Sequence, residues 1–384
     1  MEYHICIISH RYPSKEHQVA LFVHQLVAQF ARRGIRCSVI APQSLLSALR
    51  HKMFNKRYRV VDIEGGVPIE IYQPFILSFP SRFRFCRLLN EKLASKGIER
   101  ICKIKSLVPN VFYAHFWSSG YRIFRHAQKN GTPLYIASGE SKIGIQNDYS
   151  DDFVRACSEY LTKVICVSSK NKRESLALGL CKDDSCVVIP NGINLSLFQK
   201  LDRNTLRGKY KITHDDFVVV FVGSFIERKG VLRLCAALEK IDDKRIKAIF
   251  IGRGPQQPEY ARTIYKGVVP HHILPEYLSL ADVFVLPTLH EGCSNAIIEA
   301  MGCGLPIVSS NRPFNDDILT DENSIRVDPL NVDELAASIS RLAEDEDLRK
   351  SMSVASLNMT MELDLEKRAE KILALFNGSE AKSL

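Results

Sequence analysis

Short runs of β-branched and aromatic residues alternate with helix-length stretches along this chain, and no other feature narrows its fold as much. HICIIS reads as a strand. The stretch after it spaces Leu21, Phe22, Leu26, Val27 and Phe30 by three and four residues and stops at Gly34, the signature of an amphipathic helix with a glycine end. RCSVIAP, VFYAHF, TPLYIAS, KVICVSS and SCVVIP are further strand candidates, with helical stretches between several of them. Strands that alternate with helices pair in parallel, because the crossover helices cover both faces of the sheet. The pattern pauses at VVIPNGIN, where Pro190, Asn191 and Gly192 form a turn signal. A second series then runs through DFVVVFVG, a helix, IKAIFIGRG, a short segment at GVVP, DVFVLP, another helix and PIVSS. At 384 residues the chain is too long for one core of ordinary size. The expectation is an α/β architecture of two doubly wound, Rossmann-like domains, 1–195 and 196–362, followed by a tail segment, 363–384, that begins with a helix. Such domains set the carboxyl ends of two parallel sheets on either side of a cleft, where ligands of open α/β sheets bind.

Several function classes are excluded early. MEYHICIISHRYPS enters an apolar run with no basic leader and no small-residue cleavage site, so the run reads as a first strand and not as a signal peptide. No stretch reaches the ~18 uninterrupted apolar residues of a membrane span. A soluble, cytoplasmic protein is expected. The 11 cysteines are scattered and never spaced as C-x-x-C, and most, such as Cys6, Cys166 and Cys235, stand in apolar runs where a thiol serves as a small hydrophobe. Neither a disulfide framework nor a structural zinc site fits that distribution. The net charge of +9 is uneven, since residues 1–197 carry 28 Lys and Arg against 15 Asp and Glu. The excess peaks where Arg82, Arg84, Arg87, Lys92, Lys96, Arg100, Lys103 and Lys105 face only Glu91 and Glu99. With Phe83, Phe85, Leu88, Leu89 and Leu93 interleaved, 79–105 is open to two readings, a helix on an anionic membrane surface or a solvated basic face. Nucleic acid is not expected as a partner, because no recognised nucleic-acid motif accompanies the charge.

Two motifs carry chemistry. A phosphate site needs backbone N–H groups free to approach, commonly a glycine turn at a helix N-terminus, with a fixed cation nearby. FVGSFIERKG supplies a buried strand ending in Gly223, then Arg228 and Lys229 before Gly230 and a new helix. The planar fork of Arg and the point charge of Lys together suit a diphosphate. In LHEGCSNAIIEAMGCGLP, the turn Gly292-Cys293-Ser294-Asn295 leads into a helix from Asn295 to Met301. The N–H groups of Ser294, Asn295 and Ala296 would face an anion, favoured by the helix dipole by about 0.3–1 kcal/mol. Glu291 lies in the loop before that helix and Glu299 near the end of its first turn, and a carboxylate suits the hydroxyls of a sugar or ribose better than a phosphate. The one approach to an Asp-x-Asp metal motif, Asp345-Glu346-Asp347, reads as a solvated helix face, so no metal requirement is expected.

The run HHILPEYLSLADVFVLPTLHEGCSNAIIEAMGCGLPIVSS closely resembles the donor half of retaining glycosyltransferases of family 4, which have the GT-B fold. The family's glutamate-x7-glutamate motif fits Glu291 and Glu299, its glycine–basic–lysine loop fits Gly223 to Gly230, and PNGIN resembles its interdomain linker. The resemblance is strongest over 186–345. It implies a nucleoside-diphosphate sugar as donor substrate, UDP- rather than GDP-linked, with no further cofactor. By the same resemblance, Lys229 and Arg228 bind the diphosphate, Glu299 takes the ribose hydroxyls and Glu291 contacts the transferred sugar. The turn from Gly292 through Cys293 to Ala296, with Gly223 and Ser224, would cradle phosphates and sugar. Gly252, Gly254, Val268 and His271 would line the nucleobase pocket. On the acceptor side stand Tyr12, Pro13, Ala20, Trp117, Ser138 and Gly139, and the tail helix would cross back onto the first domain.

Three residues depart from the family pattern: Ala20 and Ser224 stand where Gly and Arg are common, and Gly139-Glu140 where a His often ends the strand. Glu140 and His115 are then the candidates for the polar group facing the reacting carbon. The implied reaction moves a sugar to a saccharide or lipid-linked saccharide acceptor in cell-surface polysaccharide assembly, on the cytoplasmic face of the inner membrane. A dinucleotide oxidoreductase fits poorly, since SHRYPSKEHQ lacks G-x-G-x-x-G. A glycoside hydrolase using Glu291 and Glu299, and a non-catalytic descendant with a decayed site, are the remaining rivals.

Overall fold

A computed structural model of the chain describes residues 3–14, 20–51, 54–80 and 82–378. The chain divides into two units, Met1–Ile189 with Ala369–Leu384, and Pro190–Arg368.

The first unit is built on ten strands: β1 (His4–Ile8), β2 (Arg36–Ile40), β3 (Gln43–Ser44), β4 (Tyr58–Val61), β5 (Ile69–Tyr72), β6 (Phe75–Ile76), β7 (Val111–His115), β8 (Leu134–Ser138), β9 (Lys163–Cys166) and β10 (Cys186–Val188). Eight of them form one sheet in the order β10-β9-β8-β7-β1-β2-β5-β4. Every pair is parallel except β4 with β5. β1, β7 and β8 are buried along their whole length, which is why their sequences read as unbroken apolar runs rather than alternations. β4 escapes sequence reading for the opposite reason, since YRVV is an edge strand with alternate residues exposed, whereas β5, IEIY, is mostly buried but carries a charged glutamate. The Leu365–Phe376 helix brings Phe376 against Phe30, Tyr113 and Tyr135, with ring centroids 6.2, 5.5 and 4.7 Å apart, and Tyr135 donates its hydroxyl to the Leu375 carbonyl at 3.0 Å.

The second unit holds β11 (Phe217–Val222), β12 (Ile246–Ile251), β13 (Thr263–Gly267), β14 (Val283–Leu286), β15 (Ile307–Ser310) and β16 (Ser324–Val327). They form an all-parallel sheet, β13-β12-β11-β14-β15-β16. Near the short segment read at GVVP the strand is TIYKG, an edge strand of intermediate exposure whose charged lysine hides it from hydropathy. β11 is followed on one side by β12 and β13, and the chain then crosses to place β14 on its other flank. Strand order therefore reverses between β11 and β14, and the loops leaving their carboxyl ends flank the switch point where such sheets bind ligands.

Among the described residues no helix is long and apolar enough to cross a membrane, and no group of three His, Cys, Asp or Glu is placed to hold a metal. All 11 cysteines are free. The Asp347 side chain is almost fully exposed at the start of the Glu346–Glu362 helix, which Asp345 caps through the Leu348 amide.

Candidate functional site

The loop after β11 is shaped by glycines. Gly230 adopts φ 78°, and a Cβ there would lie 2.4 Å from the Pro287 carbonyl oxygen, so only glycine lets this loop meet the one after β14. It also begins the Val231–Lys240 helix, directly after the 3-10 turn Glu227–Lys229. Gly252 and Gly254 were expected in a nucleobase pocket. In the structure a Cβ at either would meet backbone. A Cβ on Gly252 would fall 1.8 Å from the Gly223 carbonyl oxygen, and one on Gly254 2.3 Å from that of Phe225. Phe225 N–H donates to Arg253 O, and Gln256 N–H to Phe225 O, both at 2.9 Å. The glycines after β12 are a floor for the 223–225 backbone.

On that loop, Lys229 Nζ lies 2.5 Å and Arg228 Nη1 2.9 Å from one atom, Glu291 Oε1. Thr288 donates its hydroxyl to the same oxygen at 3.0 Å, and Arg228 also donates to the His290 carbonyl. Leu289 N–H donates to Arg228 O at 2.8 Å, which ties the two loops together. Glu291 is buried, and its side chain and that of Lys229 are 12% and 13% exposed. The two cations and the first glutamate, read in the sequence as separate binding groups, are one cluster.

The predicted turn and helix follow. The helix spans Asn295–Gly302 with Ser294 as N-cap, and Ser294 makes no side-chain capping bond. The first amides of a helix have no intrahelical partner, so this end keeps donors for an anion. Gly292, Cys293 and Ser294 are buried, and burial pushes the Cys293 thiol up to about 12, so it stays neutral. The Asn295 side chain is not turned to a ligand. Its Oδ1 accepts from Asn191 Nδ2 at 2.8 Å, and the same Nδ2 donates to Cys293 O at 3.2 Å. Glu299 Oε1 lies 2.9 Å from His271 Nε2, whose ring packs edge-on to Phe198 at 5.1 Å. His271 thus orients the second glutamate. Ser224 is exposed, and so is Val268 at 60%.

The first unit has its own reversal of strand order, between β1 and β7. A cavity of about 580 Å³ lies in that unit, lined among others by Ala20, Phe22, Phe116, Ser118, Glu91 and Arg122. Arg122 and Glu91 form a buried bidentate pair, with both N–O distances 2.7 Å. Ala20 precedes the Leu21–Arg32 helix with φ 58°, the left-handed region that favours glycine. Tyr12 is buried with its hydroxyl 2.9 Å from His24 Nδ1, and the Pro13 carbonyl accepts from Arg59. Residues 15–19, between Pro13 and Ala20, lie outside the described residues.

Of the two candidates for the reacting-carbon group, Glu140 lines this cavity beside Phe116 and Lys142. Glu140 accepts from Trp117 N–H at 2.7 Å, from Gly139 N–H at 3.0 Å and from Ser138 Oγ at 3.1 Å. It caps the Trp117–Asn130 helix. Burial raises its pKa, and those donors pull it back. Ser138 also accepts from Trp117 Nε1 at 3.2 Å, so Trp117 and Ser138 belong to the same support. A Cβ on Gly139 would sit 3.3 Å from both Phe116 and Val167. His115 is 4% exposed among Phe22, Tyr113 and Phe116, with no open face toward a substrate. Sequence reasoning missed Thr288 and Asn191. Nothing marked Thr288, and Asn191 was read only as a turn and linker residue.

A family model for glycosyl transferases group 1 matches residues 216–345, and one for glycosyltransferase family 4 matches residues 19–197. TuaC of Bacillus subtilis (strain 168), assigned by name to teichuronic acid biosynthesis, is 27% identical over 340 residues, 85% of each chain. CapM of Staphylococcus aureus, a capsular polysaccharide biosynthesis glycosyltransferase, is 28% identical over 208 residues, 50% of this chain and 54% of its own. Among solved structures, sucrose-phosphate synthase (tll1590) from Thermosynechococcus elongatus superposes with a TM-score of 0.77 at 18% identity, over 98% of this chain and 99% of that one. Anabaena Alr3699/HepE in complex with UDP gives 0.73 at 16% identity, over 98% and 100%.

Proposed function

The chain belongs to glycosyltransferase family 4 and has the GT-B fold, and from that premise we propose that it moves a sugar from a nucleoside-diphosphate donor to an acceptor hydroxyl with retained anomeric configuration. One observation carries the donor reading. At the switch point of the second unit, Arg228, Lys229 and an uncapped helix start gather on adjacent loops. The leaving diphosphate gains negative charge as the glycosidic bond breaks. Cations and oriented amides stabilise that charge more in the transition state than in the ground state, which is the condition for catalysis. Lys229, Arg228 and the amides after Ser294 do this work. Glu299, oriented by His271, takes the ribose hydroxyls, and Glu291 meets the transferred sugar.

No metal enters this scheme, because the cations are side chains. Exhaustive chelation should leave activity intact, and loss restored by a divalent ion would overturn that part. UDP is the favoured nucleotide because Alr3699/HepE is a UDP complex. The acceptor is a growing or lipid-linked saccharide of cell-surface polysaccharide, in keeping with the assignments of TuaC and CapM. Peripheral attachment to the cytoplasmic membrane face would run through the start of the Arg84–Ile104 helix. There Phe83 and Phe85 are 65% and 73% exposed beside exposed Arg82 and Arg84. Arg87 does not belong to that patch, since its guanidinium is bound to buried Asp148 at 2.8 Å. The test of the whole reading is a thermal-shift and nucleotide-release screen across nucleotide sugars. A UDP-sugar should raise the melting temperature and release UDP when a saccharide acceptor is added. Failure of every nucleotide sugar to do either would refute the function.

A further inference from the structure

The chain passes between its two units twice, after Ile189 and after Arg368. Within the second unit the segments next to these crossings are bound to each other. Ile193 N–H donates to Leu363 O and Leu365 N–H to Ile193 O, each at 2.9 Å, as an isolated parallel bridge. Arg368, 6% exposed, donates to the Pro190 carbonyl. Gly192 lies so close to the second segment that a Cβ would stand 2.9 Å from Leu365 Cα. Residues 190–193 and 363–368 therefore move as one piece or not at all.

Asn191 projects from that piece onto the anion-cradling turn. Its single Nδ2 group donates to the Cys293 carbonyl, inside the turn, and to the Asn295 side chain, at the first residue of the helix. Ser294 offers no side-chain cap, so this amide is a link across the turn supplied from outside it. The alternative, a purely local turn bond, is excluded by the sequence separation of about 100 residues that the contact closes.

We propose that Asn191 is a positioning residue that fixes the turn over residues 293–295 and couples its occupancy to the paired crossing segments. The proposal rests on the donor reading above. Nucleotide binding that tightens the turn then tightens the crossings, and a loosened crossing misaims the amides. Two hydrogen bonds of ordinary strength correspond to about a tenfold effect on kcat.

The experiment compares the full chain with Asn191→Asp, which keeps the shape but has no N–H to donate, and with Asn295→Ala, which removes one arm of the contact. Hydrogen exchange is followed with and without UDP at 290–297 and at the amides of Ile193 and Leu365. In the wild type UDP should slow exchange at both places. In Asn191→Asp the slowing at 290–297 should persist while that at Ile193 and Leu365 disappears, with kcat down about tenfold and the UDP Kd changed less than threefold. Asn295→Ala should fall between the two. Equal slowing at Ile193 and Leu365 in wild type and variant, or an unchanged kcat, overturns the coupling. If UDP slows exchange nowhere in the wild type, the UDP reading fails on its own. The contact is then judged without nucleotide, where equal exchange at Ile193 and Leu365 in wild type and Asn191→Asp overturns it.

Discussion

Replacing Gly252 by alanine puts a methyl group where the next loop already stands. The new Cβ would lie 1.8 Å from the Gly223 carbonyl oxygen and 3.0 Å from the Phe225 ring, with the backbone held at φ 152°. An ordinary carbon–oxygen contact needs about 3.2 Å, so the loop after β11 must retreat by about 1.4 Å. The left-handed backbone strain costs about 1–3 kcal/mol and overpacking about 1–3 kcal/mol more. For a unit of this size each kcal/mol lowers Tm by about 2–4 °C, giving an expected fall of about 4–24 °C. The same retreat carries Arg228 and Lys229 away from the turn, and a displacement near 1 Å costs about 10²-fold in rate. Gly223→Ala is the control: its Cβ would meet nothing closer than 3.5 Å, so its Tm should fall by less than about 3 °C. Melting by circular dichroism and UDP release at saturating donor measure both effects. A Gly252→Ala protein with Tm within 2 °C and kcat within threefold of wild type, thresholds of about the measurement error, would refute the claim that this glycine holds the cation loop.

Lys229→Ala should lower kcat by about 10²–10³-fold, whereas Glu299→Ala should chiefly raise the donor KM; matched effects in the two variants would remove their separate roles. Burial, then the charge of Arg36, holds His4 down at about 4, against about 6.5 when unfolded. Native His4 stays neutral while the unfolded chain takes up the proton, so stability falls as pH drops from about 6.5 to about 4, by up to about 3 kcal/mol. His4→Gln should flatten that part of the pH–melting curve, and an unchanged curve would show that His4 does not set it. The double variant Phe83→Asp/Phe85→Asp should abolish co-sedimentation with anionic vesicles while leaving the melting curve intact; undiminished sedimentation rules out that surface.

The doubly wound pattern was legible because buried parallel strands such as HICII and FVVVFV carry no polar interruption. Edge strands such as YRVV and TIYKG mix charge with apolar residues and look like loops. Site reading divided in the same way. Short-range features, the basic pair before Gly230 and the turn before Asn295, stand in the structure where the sequence put them. Features that depend on which residue reaches which were hidden. Glu140 as cap of a helix starting 23 residues earlier, His271 against Glu299, Arg87 against Asp148 and Asn191 against Cys293 all join distant parts of the chain. No periodicity announces such pairs, and the enclosure of His115 follows from packing by three rings that its own neighbours in sequence only partly supply.

The single oxygen of Glu291 shared by Lys229 and Arg228 means that the two cations already hold a tethered anion. For the proposed donor, arrival is then a substitution of one anion for another rather than the capture of a bare charge by loose counter-ions. Few dissolved ions are released when the resident anion is covalently part of the chain. The donor Kd should accordingly respond weakly to added salt, more weakly than the charge of a diphosphate would suggest. The displaced carboxylate, freed at the moment the diphosphate takes its place, becomes available to the sugar. One exchange would thus refill the cation site and arm the neighbouring one.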